Sequence, residues 1–252
     1  PGTTQPMTVV EPDQLNLTKT GPAQMQLGVP ETFTLDAHNV GDSPAYAVTI
    51  TDVLPNQADG GMCDAAPAQF TAQVFEADGT TAVSPALVQD TDFTVIWAPD
   101  PDCIATITML TPAAAIGADQ RLIVTYQATL DLDSQQAASL TNVAGATEWF
   151  GLDVSDSNLQ PYARTYTRVL TDGTVNTLDH EDAHTVVVFV PVLIFEKTVA
   201  NLTSGDDPAT VATPGDTLRY SLRIENASDT PLTGFRIVDE LDRNEGRIRT
   251  AL

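Results

Sequence analysis

The sequence predicts an all-β protein of tandem two-sheet β-sandwich domains, and three observations carry that expectation. Apolar and polar residues alternate over short runs, as at Phe33, Leu35 and Ala37 or Val48 and Ile50, which is the period of a strand with one buried face. No long stretch keeps a helical period, and Thr, Val, Asp and Pro are plentiful. The stretch Phe33–Leu54 (FTLDAHNVGDSPAYAVTITDVL) then recurs without a gap as Tyr220–Leu241 (YSLRIENASDTPLTGFRIVDEL), at an offset of 187 residues. Asn39 matches Asn226, Asp42 matches Asp229, Pro44 matches Pro231, Ile50 matches Ile237 and Asp52 matches Asp239.

The repeat sets the domain organisation. Leu15–Thr20 (LNLTKT) precedes the first copy and Leu193–Thr198 (LIFEKT) the second, so Lys19 and Lys197 hold the same place. Thr8-Val9-Val10-Glu11-Pro12 corresponds to Val187-Val188-Phe189-Val190-Pro191, a β-branched run closed by a proline that cannot continue a central ladder. Residues 1–11 are therefore expected to be the last strand of a preceding repeat, 12–190 a complete repeat with insertions, and 191–252 the opening strands of the next. Within the complete repeat, Asn39–Pro44 is a turn in which Gly41 is expected to supply a positive φ. Phe93–Trp97, Ile104–Leu110 and Leu122–Leu130 follow as strands, with Trp97 as a core anchor. Leu140–Ala146 places Leu140, Asn142, Ala144 and Ala146 on one face. Gly151–Gln160 is a loop, and Arg164–Leu170 and Thr185–Val190 complete the two sheets.

Composition limits the partners. Eleven Lys and Arg stand against 34 Asp and Glu in 252 residues, a net charge of −23. A surface that acidic excludes nucleic acid, whose phosphates need clustered cations. No apolar run approaches the roughly 18–20 residues of a membrane helix. Twenty-five of the acids are Asp, many in turns, which suits either a solvated acidic surface or structural Ca²⁺ on hard oxygen ligands. Asp153, Asp156, Asp206 and Asp207 are the candidate ligands.

Cys63 and Cys103 are the only cysteines, and an even count in a chain with an exported character predicts one disulfide. His180-Glu181-Asp182-Ala183-His184 spells the H-E-x-x-H of zinc proteases, a motif that works only on a helix. Asp179 and Asp182 are poor helix-interior residues and a valine-rich strand follows at once, so a loop is expected and no catalysis. Three glycosylation sequons, at Asn16, Asn201 and Asn226, are present in form.

A lysine-bearing first strand, then Gly28, Phe33, Leu35, Ala37, Asn39, Asp42, Pro44 and Asp52-Val53-Leu54, come in an order that resembles a bacterial Ig-like surface-protein repeat, the one catalogued as domain of unknown function eleven. Gly215, Tyr220, Leu222, Ile224, Asn226, Asp229, Pro231 and Asp239-Glu240-Leu241 repeat it, and Leu140-Thr141-Asn142-Val143-Ala144 is similar to a later strand of that family. The resemblance implies Ig-like sandwiches in an extracellular, non-catalytic stalk, adhesin or surface layer. Its partners would be neighbouring repeats, and a host or surface glycan or protein. The alternative is a subunit of an extracellular filament joined by strand exchange.

Lys19 and Lys197 are the only lysines; the other nine basic residues are arginines. Leu15, Leu17 and Lys19 share a face by parity, as do Leu193, Phe195 and Lys197, so both lysines are expected to point inward. A buried ammonium must find a partner or lose its charge, and a neutral lysine is a nucleophile. The expectation is an isopeptide bond from Lys19 to Asn142 with Asp52 moving protons, Lys197 and Asp239 being the equivalents in the next repeat. Asn39 is the second candidate acceptor, and a plain Lys19–Asp52 ion pair is the simpler outcome.

Overall fold

Strict inward–outward alternation builds the strands. Leu15, Leu17 and Lys19 are buried on one strand, Phe33, Leu35, Ala37 and Asn39 on the next, and Val48, Ile50 and Asp52 on a third. The residues between them are less buried and mostly polar. In the computed structural model, residues 9–171, 178–191, 193–227 and 234–239 are described. They fall into two units, Pro1–Val190 and Pro191–Leu252.

In chain order the strands of the first unit are β1 (Leu15–Thr20), β2 (Gln24–Gln26), β3 (Glu31–Asn39), β4 (Tyr46–Val53), β5 (Asn56–Gln57), β6 (Gly60–Gly61) and β7 (Ala68–Phe75). They continue with β8 (Phe93–Ala98), β9 (Ile104–Met109), β10 (Arg121–Ala128), β11 (Ser139–Phe150), β12 (Thr165–Thr167) and β13 (Glu181–Phe189). One sheet runs β1-β3-β10-β7 and the other β2-β13-β11-β4-β9-β8, with β12 also paired to β11. The inner faces of both sheets share a single hydrophobic core that includes Leu17, Phe33, Leu35, Ile50, Ile107 and Val124. Filling the space between two sheets with such side chains stabilises by about 1.5–3 kcal/mol each. This is an all-β sandwich of two sheets.

Three details differ from the expectations. Trp97 is only partly buried, whereas Trp149 is fully enclosed. Trp97 sits on β8, the end strand of its sheet, while Trp149 stands on β11, between neighbours on both sides. Gly41 is not in the positive-φ region. Its need is space: a Cβ there would meet Glu11 O and Pro12 Cα, both at 2.7 Å. Finally, β13 begins at Glu181, so most of the H-E-x-x-H stretch is strand and not loop. Pairing with Val143–Gly145 of β11 extends the strand through residues of low β propensity. The short strands β2 and β12 and the longer β7 complete the sheets; only β12 falls within an expected strand, Arg164–Leu170.

Of the segment expected to end a preceding repeat, residues 1–8 lie outside the described residues. Val9 and Val10 are exposed and belong to no strand. Glu11 is bound to the first unit, accepting Asp42 N–H at 3.0 Å and both contacts of the Arg164 guanidinium at 2.6 and 2.7 Å. Trp149 Nε1 donates to Pro12 O at 2.5 Å.

The described strands of the second unit are β14 (Leu193–Asn201) and β15 (Leu218–Asn226), an antiparallel pair. Asp229, Pro231, Glu240 and Leu241 of the repeated motif lie outside the described residues.

Candidate functional site

Four inward-facing strands bring four polar side chains into the apolar core, and a fifth brings an aromatic ring. Lys19 comes from β1, Tyr126 from β10, Asp52 from β4 and Asn142 from β11; Phe33 of β3 lies beside them. In one sheet, β3 pairs Lys19 with Leu35 and Phe33 with Tyr126. In the other, Asp52 pairs with Ala144, so Asn142 is its diagonal neighbour on the same face. Diagonal neighbours lie about 7–8 Å apart at Cα, within reach of a long side chain entering from the opposite sheet.

Lys19 is that side chain. Its Nζ donates to Asp52 Oδ2 at 2.7 Å and to the Tyr126 hydroxyl at 3.0 Å. The same hydroxyl accepts from Asn142 Nδ2 at 2.9 Å. Nζ also stands 5.5 Å from the Phe33 ring centre and 5.3 Å from that of Tyr126, which stack on each other. All four polar side chains are buried, and two acceptor atoms, Asp52 Oδ1 and Asn142 Oδ1, have no hydrogen-bond partner. Burial holds the Lys19 ammonium below its ordinary pKa, and the Asp52 carboxylate opposes that shift without cancelling it. Burial, and then the charge of Asp52, push the Tyr126 hydroxyl well above the usual tyrosine range, so it stays protonated.

The backbone of β1 is fixed as firmly as the lysine head. Lys19 N–H donates to Asp182 Oδ2 at 2.9 Å and Leu17 N–H to Asp179 O at 2.7 Å. These two bonds stitch the outer edge of β1 to the start of β13 in the facing sheet. Parity alone places Lys19, Asp52 and Asn142 inward, and Tyr126 with Leu122 and Val124; that Tyr126 and Asp182 partner Lys19 depends on strand register and carries no local signal.

Asn39 is committed elsewhere. Its Nδ2 donates to Ser43 O and Ile116 O, both at 2.8 Å, and its Oδ1 accepts Gly41 N–H at 3.0 Å. It caps the Asn39–Pro44 turn. In the second unit, Lys197 Nζ donates to Asp239 at 2.5 Å and lies 5.0 Å from the Tyr220 ring centre. Its side chain is 33% exposed, not enclosed. The described strands there form a two-stranded sheet, which presents no second layer to cover the lysine.

Cys63 and Cys103 form a disulfide. Asp100, exposed beside them, completes a group within metal-ligand distances, but the two sulfurs are bonded to each other. The four candidate Ca²⁺ ligands do not form such a group among the described residues. Asp153 caps its own turn through Ser155, Asp156 does so through Asn158, Asp206 accepts from the Ser204 hydroxyl and Asp207 pairs Arg219 at 3.3 Å. His180 donates to Val169 O at 3.0 Å and His184 to Pro22 O at 2.9 Å, while Glu181 is held by Thr171. The strand conformation and these local bonds do not make the helical zinc site of a protease.

No protein-family model matches the chain, and no curated protein does. Among solved structures, a collagen-binding domain from a Staphylococcus aureus adhesin is 12% identical, covers 68% of this chain and 96% of its own, and has a TM-score of 0.35. The pilus backbone RrgB of Streptococcus pneumoniae is 10% identical over 55% of this chain and 53% of its own, with a TM-score of 0.38. The C-terminal domain of the Streptococcus agalactiae AgI/II polypeptide BspA is 10% identical over 80% and 55%, with a TM-score of 0.39. Likenesses this distant assign no role. No helix among the described residues is long and apolar enough to cross a membrane.

Proposed function

We propose that the chain is a non-catalytic, force-bearing repeat of a large microbial cell-surface protein, of the kind that the sequence motifs resemble. One observation carries the reading. The first unit pairs Lys19 with Leu35 across β1 and β3, and the second pairs Lys197 with Leu222 across β14 and β15, which is the same register displaced by the repeat. In both, the lysine meets the aspartate at the matching position of the repeat, Asp52 or Asp239, and faces the ring of the matching aromatic, Phe33 or Tyr220. A unit that reuses one internal device from copy to copy is organised to be stacked in series, with each repeat supplying length and stiffness. The acidic surface keeps such an array soluble outside the cell. Its partners in this reading are neighbouring repeats, and a host or surface glycan or protein would meet the inserted loops. Residues 1–11 would belong to the repeat before and 191–252 to the repeat after.

Labelling intact cells that make the protein with an antibody to the first unit tests the location. Signal on unbroken cells is expected; signal only after lysis would overturn the reading. Polymerisation by strand exchange is a second reading, favoured by β8, which ends its sheet and leaves Ile96 66% exposed. Light scattering that shows concentration-dependent growth, abolished by Ile96→Lys, would favour it.

A further inference from the structure

We propose that Lys19 and Asn142 are joined by an intramolecular isopeptide bond, Nζ to Cγ, which the folded chain forms by itself with Asp52 as proton carrier and Tyr126 as positioning residue. The inference goes beyond the surface-repeat reading, since it concerns chemistry inside one unit wherever that unit is displayed.

The geometry supplies the reactants. The amine and the carboxamide share one hydrogen-bond partner, the Tyr126 hydroxyl, at 3.0 and 2.9 Å. Their strands lie in different sheets, and the backbone of β1 is pinned to β13, the neighbour of β11. Two reactive groups held this way in a dry core meet at an effective concentration far above any in solution. The two orphaned acceptors belong to the same pair of residues, Asp52 Oδ1 and Asn142 Oδ1. A proton placed on Asp52 would give the unpartnered Asn142 oxygen the donor it lacks. Buried acceptors without partners are uncommon and call for an explanation.

The steps balance without any oxidant, reductant or added reagent. The Lys19 ammonium passes one proton to the Asp52 carboxylate and becomes a neutral amine, the form that burial favours. The amine lone pair attacks Asn142 Cγ while the Asp52 carboxyl gives its proton to the amide oxygen. Asp52 then takes a proton from the attacking nitrogen and returns it to Nδ2. The Cγ–Nδ2 bond breaks, ammonia leaves, and the hydroxyl proton of the collapsing centre comes back to Asp52. The products are a secondary amide, ammonia and a neutral Asp52 carboxyl. Two buried charges enter and none remain, which is the direction a low-dielectric core drives.

Alternatives on the page are weaker. Asn39 has every amide atom engaged in its turn. Arginine could not substitute for Lys19, because its guanidinium stays charged.

Intact-mass measurement of the full 252-residue chain tests the proposal. The expected mass is that of the disulfide form less one ammonia, with peptide mapping that returns Lys19 and Asn142 in a single cross-linked fragment. Lys19→Arg and the near-isosteric Asp52→Asn should both show the full mass. A folded wild-type chain of full mass would overturn the bond, and so would an ammonia loss that maps to a loop succinimide or to Asn39. A deficit that persists in Asp52→Asn would overturn the proton-carrier role. Because wild-type protein alone decides the bond, misfolding of a variant leaves the test intact; cell labelling, by contrast, addresses only location.

Discussion

Lys19 Nζ lies 2.7 Å from Asp52 Oδ2 with both side chains wholly enclosed between two β-sheets. Each ion alone would cost several kcal/mol to desolvate, and their attraction offsets that only when the remaining protons and lone pairs are satisfied. Here they are not, since one Asp52 oxygen and the neighbouring Asn142 oxygen lack partners. The pair is a poor resting state and a good starting point for chemistry.

Removing one partner should therefore be severe. Asp52→Ala leaves the Lys19 ammonium buried without a counter-ion and blocks the bond as well. It should destabilise the first unit by at least about 3 kcal/mol, whereas the double replacement Lys19→Met with Asp52→Leu should recover much of that loss. Denaturant midpoints measure both. Equal stability of the single and double variants would contradict a buried charge.

Tyr126→Phe tests the positioning role. Loss of the hydroxyl leaves the Lys19 and Asn142 donors without their shared acceptor, a cost of about 1–3 kcal/mol before the bond forms. In freshly synthesised chains, Trp149 fluorescence should develop at a rate near that of the wild type, while the ammonia loss followed by mass should lag. Parallel slowing of both would make Tyr126 a merely structural residue.

The pH dependence has a definite sign. In Asn142→Ala, which has no acceptor, Lys19 stays titratable and its folded value lies below the ordinary 10.5. Between those two values the unfolded chain binds the proton and the folded chain does not, so stability rises with pH across that window. In the bonded wild type Lys19 no longer titrates and this rise is absent. Urea midpoints from neutral pH to pH 10 should thus diverge between the two proteins; Tyr126 and Asp182 face the lysine in both, whereas Asp52 is the paired carboxylate in the variant and the neutral carboxyl left by the reaction in the wild type. Matching slopes would mean that Lys19 is free in both.

The sandwich and three members of the buried quartet were legible in the sequence because strand parity is a local property. Leu15, Leu17 and Lys19 share a face whatever the rest of the chain does, and so do Val48, Ile50 and Asp52. Tyr126 was not legible. An aromatic in a strand has the character of ordinary core, and only the pairing of Tyr126 with Phe33 brings its hydroxyl between two nitrogens. The same limit hid Trp149, whose burial reflects the place of β11 inside its sheet, and misassigned Gly41, whose neighbour Glu11 is distant in sequence. Turn aspartates are ambiguous for another reason. A short carboxylate serves equally as a local cap or as an ion ligand, and the turn conformation decides which.

Accordingly, chelation of divalent ions should leave the melting temperature of the first unit unchanged, since Asp153 and Asp156 are engaged within their own turns. A clear drop with chelator, reversed by added Ca²⁺, would show a site that these local bonds do not reveal.

The disulfide is an independent staple. Cys63 and Cys103 are 40 residues apart, and loop-closure entropy gives such a bridge roughly 4 kcal/mol. Cys63→Ala with Cys103→Ala should lower stability by an amount of that order while leaving the ammonia deficit unchanged. Loss of the deficit in that variant would tie the quartet to the disulfide loop.

Pulling a single molecule tests the covalent, force-bearing repeat most directly. With residues 19 and 142 joined, and force applied at the two ends of the 12–190 unit, only the chain outside that closed loop can extend. At about 3.5 Å per residue, unfolding of the first unit should then release about 200 Å of contour length. In Lys19→Arg, with only the disulfide loop still closed, the release should be on the order of 500 Å. A wild-type unit that extends as far as the variant would contradict the account.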